Sequence, residues 1–231
     1  MAGAAIAENL EHIRARIARA AGKAGRDPAD VTLVAVSKTV GVEPIRKAIE
    51  AGVTTFGESY IQEARAKIPQ IAAPVRWDFI GHLQRNKVRH AVGLFEMIHS
   101  VDSLPLAREI NLAAGKRGKK ARVLIEANVS GETTKSGIDP EVTDSLLREL
   151  ISLPHLSVEG LMTMPPYSDD PEHSRPHFRR LRHLKDALNE RFRPVLHLKE
   201  LSMGMSSDFE VAIEEGATIV RIGTAIFGER S

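Results

Sequence analysis

The sequence predicts a (β/α)8 barrel, and three observations predict it. Short apolar runs rich in β-branched residues alternate with helical patterns from end to end, the signature of a parallel sheet. The runs number eight, and 231 residues is about the length such barrels take. A doubly wound open sheet, the competitor, announces itself with a glycine-rich first turn, whereas the first run here ends "SKTVGVE".

In chain order, an amphipathic helix comes first, with Ile6, Leu10, Ile13 and Ile17 at helical spacing. That stretch lacks a basic start followed by an apolar core, so it reads as an extra N-terminal helix and not as a secretory signal. Strands are expected at "TLVAVSK" (32–38), "TTFGE" (54–58), "VRWDFIG" (75–81) and "EMIHSV" (96–101). Four more follow at "RVLIEANV" (122–129), "SVEGLMTM" (157–164), "ELSMG" (200–204) and "TIVRIGTAIFG" (218–228). Helices fall between them, at 44–51, 60–68, 104–116, 141–151 and 172–190. The last of these carries Phe178, Leu181, Leu184 and Leu188 on one face, and "SSDFEVAIEEG" reads as a further helix start. No Pro/Gly/Ser-rich linker divides the chain, so residues 1–231 read as one domain.

Composition narrows the chemistry. With 42% hydrophobic and 27% charged residues the chain is an ordinary globular protein, and no apolar run is long enough to cross a membrane. A cytoplasmic protein is expected. The absence of cysteine excludes disulfides, thiolate metal sites and cysteine nucleophiles. Net charge is +2, and the basic clusters "GKRGKKAR" and "RPHFRRLRHLKD" have no interleaved aromatics, so they read as solvated faces and no nucleic-acid partner is expected. His173, His177 and His183 are spaced loosely like metal ligands, but Pro176 interrupts their face and no carboxylate completes the set; no metal is expected.

In a barrel of this kind chemistry sits at the C-terminal ends of the strands. The first strand ends in Lys38, on the same face as Val34 and Val36. If that face is the interior, the ammonium stands above a dry floor, which favours the free amine that Schiff-base chemistry requires. A lysine snorkelling to water is the plain alternative. The other strand ends favour chemistry. Ser202, Gly204 and Ser206 lie in the loop after strand seven, and Gly223 and Thr224 in the loop after strand eight, the corner where these barrels bind phosphate. Arg221 shares a face with Gly223. A buried arginine keeps its charge and needs an acceptor, either a structural carboxylate or, beside such a lysine and a phosphate cup, the ring nitrogen of pyridoxal 5'-phosphate.

The motifs carry a resemblance. From "VAVSKT" through "FGESYIQEA", "WDFIGHLQRNK", "IHSVDS", "NVSGETTKSGI" and "EGLMTM" to "LSMGMSSDFEVAIEEGATIVRIGTAIFGER", the chain resembles the YggS/PROSC family of pyridoxal phosphate homeostasis proteins, whose fold-type III barrel is similar to the N-terminal domain of alanine racemase. The resemblance implies that Lys38 holds the cofactor as an internal aldimine, that Arg221 faces its pyridine nitrogen, and that Ser206, Gly223 and Thr224 help bind its phosphate. The full expected cofactor set adds Ser59, His82, Met162, Ser202 and Met203. Ser59 stands where the family usually has asparagine, and its shorter hydroxyl reaches less far, so the polar contact to the cofactor is not expected to be preserved there.

The same reading favours a carrier over an enzyme, with no catalytic residue assigned. An arginine donating to an unprotonated ring nitrogen weakens the electron sink, and a racemase needs an acid or base on each side of the substrate carbon. The sequence closes on the eighth strand, so no second domain with a tyrosine base is expected, and Tyr60 and Tyr167 are the only tyrosines. The expected role is to buffer pyridoxal phosphate and hand it to apo-enzymes that use it, as a monomer. Lys135 is noted as a possible second, transient lysine, although a solvated loop lysine is the commoner case. The alternatives are a racemase-like enzyme and a Schiff-base aldolase without cofactor.

Overall fold

The computed structural model describes residues 2–132 and 136–228. Among them eight parallel strands close into a barrel in sequence order. They are β1 (Thr32–Val36), β2 (Thr55–Glu58), β3 (Arg76–Phe79), β4 (Met97–Val101), β5 (Ala121–Glu126), β6 (Leu156–Met162), β7 (Glu200–Ser202) and β8 (Ile219–Ile222). Closure is made by β1 pairing with β8, Val34 opposite Arg221. The predicted (β/α)8 barrel is the observed fold.

Alternation along the strands builds two cores. Val34, Met97, Leu124, Met162 and Ile219, one from each of five strands, pack together inside the barrel. Their neighbours Ala35, Ile98, Val123 and Val220 point outward into the larger core shared with the helices. Inside, Gly57 makes room for the floor, since a methyl group there would stand 2.8 Å from Val34 Cγ1.

Helices cover the outside: α1 (Ala2–Lys23), α2 (Val42–Glu50), α3 (Ile61–Lys67), α4 (Val88–Leu94), α5 (Leu104–Gly115), α6 (Thr143–Ile151), α7 (Arg175–Arg191), α8 (Phe209–Glu214) and α9 (Thr224–Phe227). The expected N-terminal helix is α1. It buries Ile6, Leu10, Ile13 and Ile17 and packs on α2, α8 and α9. Pro176 lies in the first turn of α7, where its missing N–H costs no helical bond, and so does not break that helix.

Two strand boundaries differ from expectation for one reason. Strands run only as long as neighbours pair with them, whereas apolar residues continue into the helices above. Strand eight ends at Ile222, not residue 228, because Thr224–Phe227 turns into α9. Strand one ends at Val36, which leaves Lys38 in the following turn. The segment after "LQRNK" forms α4, which the sequence reading did not assign.

Candidate functional site

Lys38 occupies the corner of a turn closed by a hydrogen bond of 3.0 Å from Val40 N–H to Ser37 C=O. Thr39, next in the turn, has φ +60°, a left-handed conformation that side chains rarely adopt and that holds only where the surroundings enforce it. Lys38 opens onto a cavity of about 460 Å³ that Ser59, Gly81, His82 and Met164 also line, a size suited to a small-molecule site. Ser59 and His82 are therefore brought to Lys38, as expected. Gly81 permits it: a methyl group there would lie 2.5 Å from the Ser59 carbonyl oxygen. His82 follows β3 by three residues, is 60% exposed, and stands 3.5 Å from Asp102.

Arg221 points into the barrel at the end of β8 and is 3% exposed. Burial lowers its pKa to about 10, which leaves it cationic at neutral pH. Its recorded acceptors are not carboxylates. Nη1 donates to Ser202 Oγ at 2.6 Å and Nη2 to the Thr163 carbonyl at 2.9 Å. From Ser202 a buried chain crosses the barrel: His99 Nδ1 lies 3.0 Å from Ser202 Oγ, and His99 Nε2 lies 3.2 Å from Asp78 Oδ2. Arg76 then donates to both Asp78 oxygens at 2.8 and 2.9 Å.

The direction of this chain is forced. Arginine can only donate and an ionised aspartate can only accept. Ser202 must therefore accept from Arg221 and donate to His99 Nδ1, while His99 Nε2–H donates to Asp78. Burial holds His99 below its ordinary pKa against the pull of Asp78, which keeps the imidazole neutral. For Asp78, burial pushes upward, but hydrogen bonds from His99 and Arg76 outweigh it and leave the carboxyl below its usual range. Ser202 is thus engaged within the relay beneath the mouth, not displayed toward the phosphate corner. Met203 likewise packs in the outer core among the helices, whereas Met162 lies in the inner floor.

The loops after β7 and β8 do converge. Ala225 N–H donates to Ser206 Oγ at 3.4 Å, which ties Ser206 to the turn that presents Gly223 and Thr224. At the start of α8, Asp208 caps no helix amide with its side chain; its carboxylate accepts instead from Met205 N–H at 2.7 Å and Ser174 Oγ at 2.8 Å.

One group was missed in the sequence. Glu126 ends β5, diametrically across the barrel from β1, and is 3% exposed. Burial, reinforced by Asp102 and opposed by Arg221 and His82, raises its pKa to about 7. A lone acid inside "RVLIEANV" was the available signal. Lys135 lies outside the described residues.

Comparison with known proteins places this geometry in a family. Residues 8–231 match the family model described as alanine racemase, N-terminal domain. The chain belongs to the alanine racemase N-terminal domain family. Within it, a pyridoxal phosphate homeostasis protein of Aquifex aeolicus is 47% identical over 224 residues, covering 96% of this chain and 97% of that one. The structure of PipY from Synechococcus elongatus with PLP bound superposes with a TM-score of 0.85 at 36% identity, covering 96% of this chain and all of PipY. Alanine racemase of Clostridium difficile shares the fold, with a TM-score of 0.76 at 19% identity, and this chain covers 57% of it. Among the described residues no helix is long and apolar enough to cross a membrane.

Proposed function

We propose that this member of the alanine racemase N-terminal domain family binds pyridoxal 5'-phosphate at the barrel mouth and buffers it, holding its aldehyde as a Schiff base on Lys38. The observation that carries the reading is the pairing of β1 with β8, which sets the lysine turn beside a buried Arg221 that is cationic at neutral pH. The residues fit the group. Lys38 opens on a cavity of suitable size, Arg221 offers a donor for a ring nitrogen, and Ser206, Gly223 and Thr224 offer hydroxyl and amide donors for a phosphate. Bound there, the cofactor would supply an electron-withdrawing ring. A cationic Arg221 restrains that chemistry, because a guanidinium that holds its proton up to about pH 10 donates a hydrogen bond to a ring nitrogen without protonating it. A relative named for pyridoxal phosphate homeostasis and a neighbour with PLP bound both support the assignment. Delivery to apo-enzymes in the cytoplasm by a monomer is the role that follows.

A racemase-like reading has one observation in its favour: Glu126, a proton-transfer group across the mouth from Lys38. The tyrosines do not add to it. Tyr60 and Tyr167 are 55% and 78% exposed, and the Tyr167 hydroxyl is tied to Asp169 at 2.9 Å.

The test is the visible absorption spectrum of purified protein, before and after borohydride, beside Lys38→Ala. We expect a yellow protein whose label is fixed at Lys38 and a variant in which no label is fixed there. Protein that no added pyridoxal phosphate can colour would overturn the reading and leave the cofactor-free aldolase. Amino-acid turnover that disappears in Lys38→Ala would replace the carrier with an enzyme.

A further inference from the structure

We propose that Glu58, Glu63 and Lys67 form a staple behind the barrel wall that fixes the turn carrying Lys38, and that these are positioning residues for cofactor capture. The proposal rests on the reading of Lys38 as the cofactor's anchor. Glu58 ends β2, and Glu63 and Lys67 lie one helical turn apart on α3, so all three approach the turn from outside the barrel. Lys67 is 5% exposed. Its ammonium donates to the Ser37 carbonyl at 2.8 Å, to Glu58 Oε1 at 2.8 Å and to Glu63 Oε1 at 2.7 Å, three acceptors for three protons. Ser37 Oγ donates to the same Glu58 oxygen at 2.6 Å, and Thr39 N–H donates to the same Glu63 oxygen at 2.6 Å. The backbone on both sides of Lys38 is therefore held by ionised side chains.

Stability alone does not account for this arrangement. A buried ion pair is often no more stabilising than apolar residues of the same size. Here Glu58 Oε2 is also buried without a partner, a further cost. Thr39 occupies the turn position that normally requires glycine. An unfavourable backbone held by buried charges next to a reactive amine is the pattern of pre-organisation at functional sites. The staple removes freedom from residues 37–40 before the cofactor arrives, so little ordering is left to oppose capture.

Glu63 gives the cleanest test, because it is partly exposed on α3 whereas Glu58 and Lys67 are buried. Glu63→Ala removes the acceptor for Thr39 N–H. Glu63→Gln removes the same charge but keeps an oxygen for both Thr39 N–H and Lys67 Nζ, so the difference between the two separates those hydrogen bonds from the charge, and the Thr39 amide reports the first of them. We expect Glu63→Ala, which loses the acceptor for Thr39 N–H and for Lys67, to release pyridoxal phosphate about tenfold faster than wild type, and Glu63→Gln to stay within about twofold of it. In cofactor-free protein the Thr39 amide should exchange faster with solvent in Glu63→Ala alone, by NMR, with unchanged far-UV circular dichroism. Wild-type release from Glu63→Ala despite a freed Thr39 amide would overturn the positioning role. An unchanged Thr39 amide would overturn the staple itself. Wild-type protein that fixes no label at Lys38 would remove the cofactor reading and the positioning role with it, whatever the amide shows.

Discussion

Ser202 is a single hydroxyl on which two other buried groups depend. It accepts from Arg221 and donates to His99, both inside the barrel. Ser202→Ala strips one partner from each, and leaving buried polar groups unmatched is expected to destabilise by about 2 kcal/mol. Urea unfolding checks this, as a lower midpoint at unchanged slope; an unshifted midpoint would mean the serine is not the link. The neighbouring residues divide by how readable they are. Lys38 and Arg221 are legible in sequence because a cation at the end of an apolar strand has few uses. Asp78, His99 and Glu126 also interrupt apolar strands, but what they do depends on which strand faces them across the barrel. Ser202 was readable as a polar strand end, and only its two partners show that it links Arg221 to His99.

At the scale of elements, loops decide the site. The turns after β2 and β3 touch at Gly81, where a methyl group would meet Ser59 backbone and not a flexible side chain. Gly81→Ala is therefore expected to lower stability by roughly 1–3 kcal/mol and to displace Ser59 from the cavity. Thermal unfolding reads the first effect; wild-type stability would mean that these two loops part freely. The eight strands and most helices were legible because the outer core repeats a pattern of apolar residues that each element must satisfy. Element ends were less legible. "TIVRIGTAIFG" is apolar throughout, and only the loss of a paired neighbour beyond Ile222 ends the strand and lets α9 begin.

At the scale of the molecule, pH acts on the barrel from both sides. His99 and Asp78 have folded-state pKa values below their unfolded ones, so their contribution is present at neutral pH and lost as pH falls. Glu126 works in the opposite sense. Its folded-state pKa is raised from 4.5 to about 7, so the folded state binds the proton more tightly. That contribution is complete below the unfolded value and is lost as pH rises through about 7. Glu126→Gln, which cannot ionise, should match wild type near pH 5 and exceed it by up to about 3 kcal/mol near pH 9. Chemical denaturation across that range measures the difference, and parallel curves would mean that Glu126 is solvated. By itself the sequence determined the barrel, the N-terminal helix, and the strand ends that carry Lys38 and Arg221. Those rest on local periodicity and on residue types whose chemistry permits few roles. The tertiary structure alone decided the relay from Arg76 to Arg221, the staple behind Lys38 and the raised pKa of Glu126. Each of these is set by desolvation and by partners that barrel closure brings together from strands and helices distant in the chain.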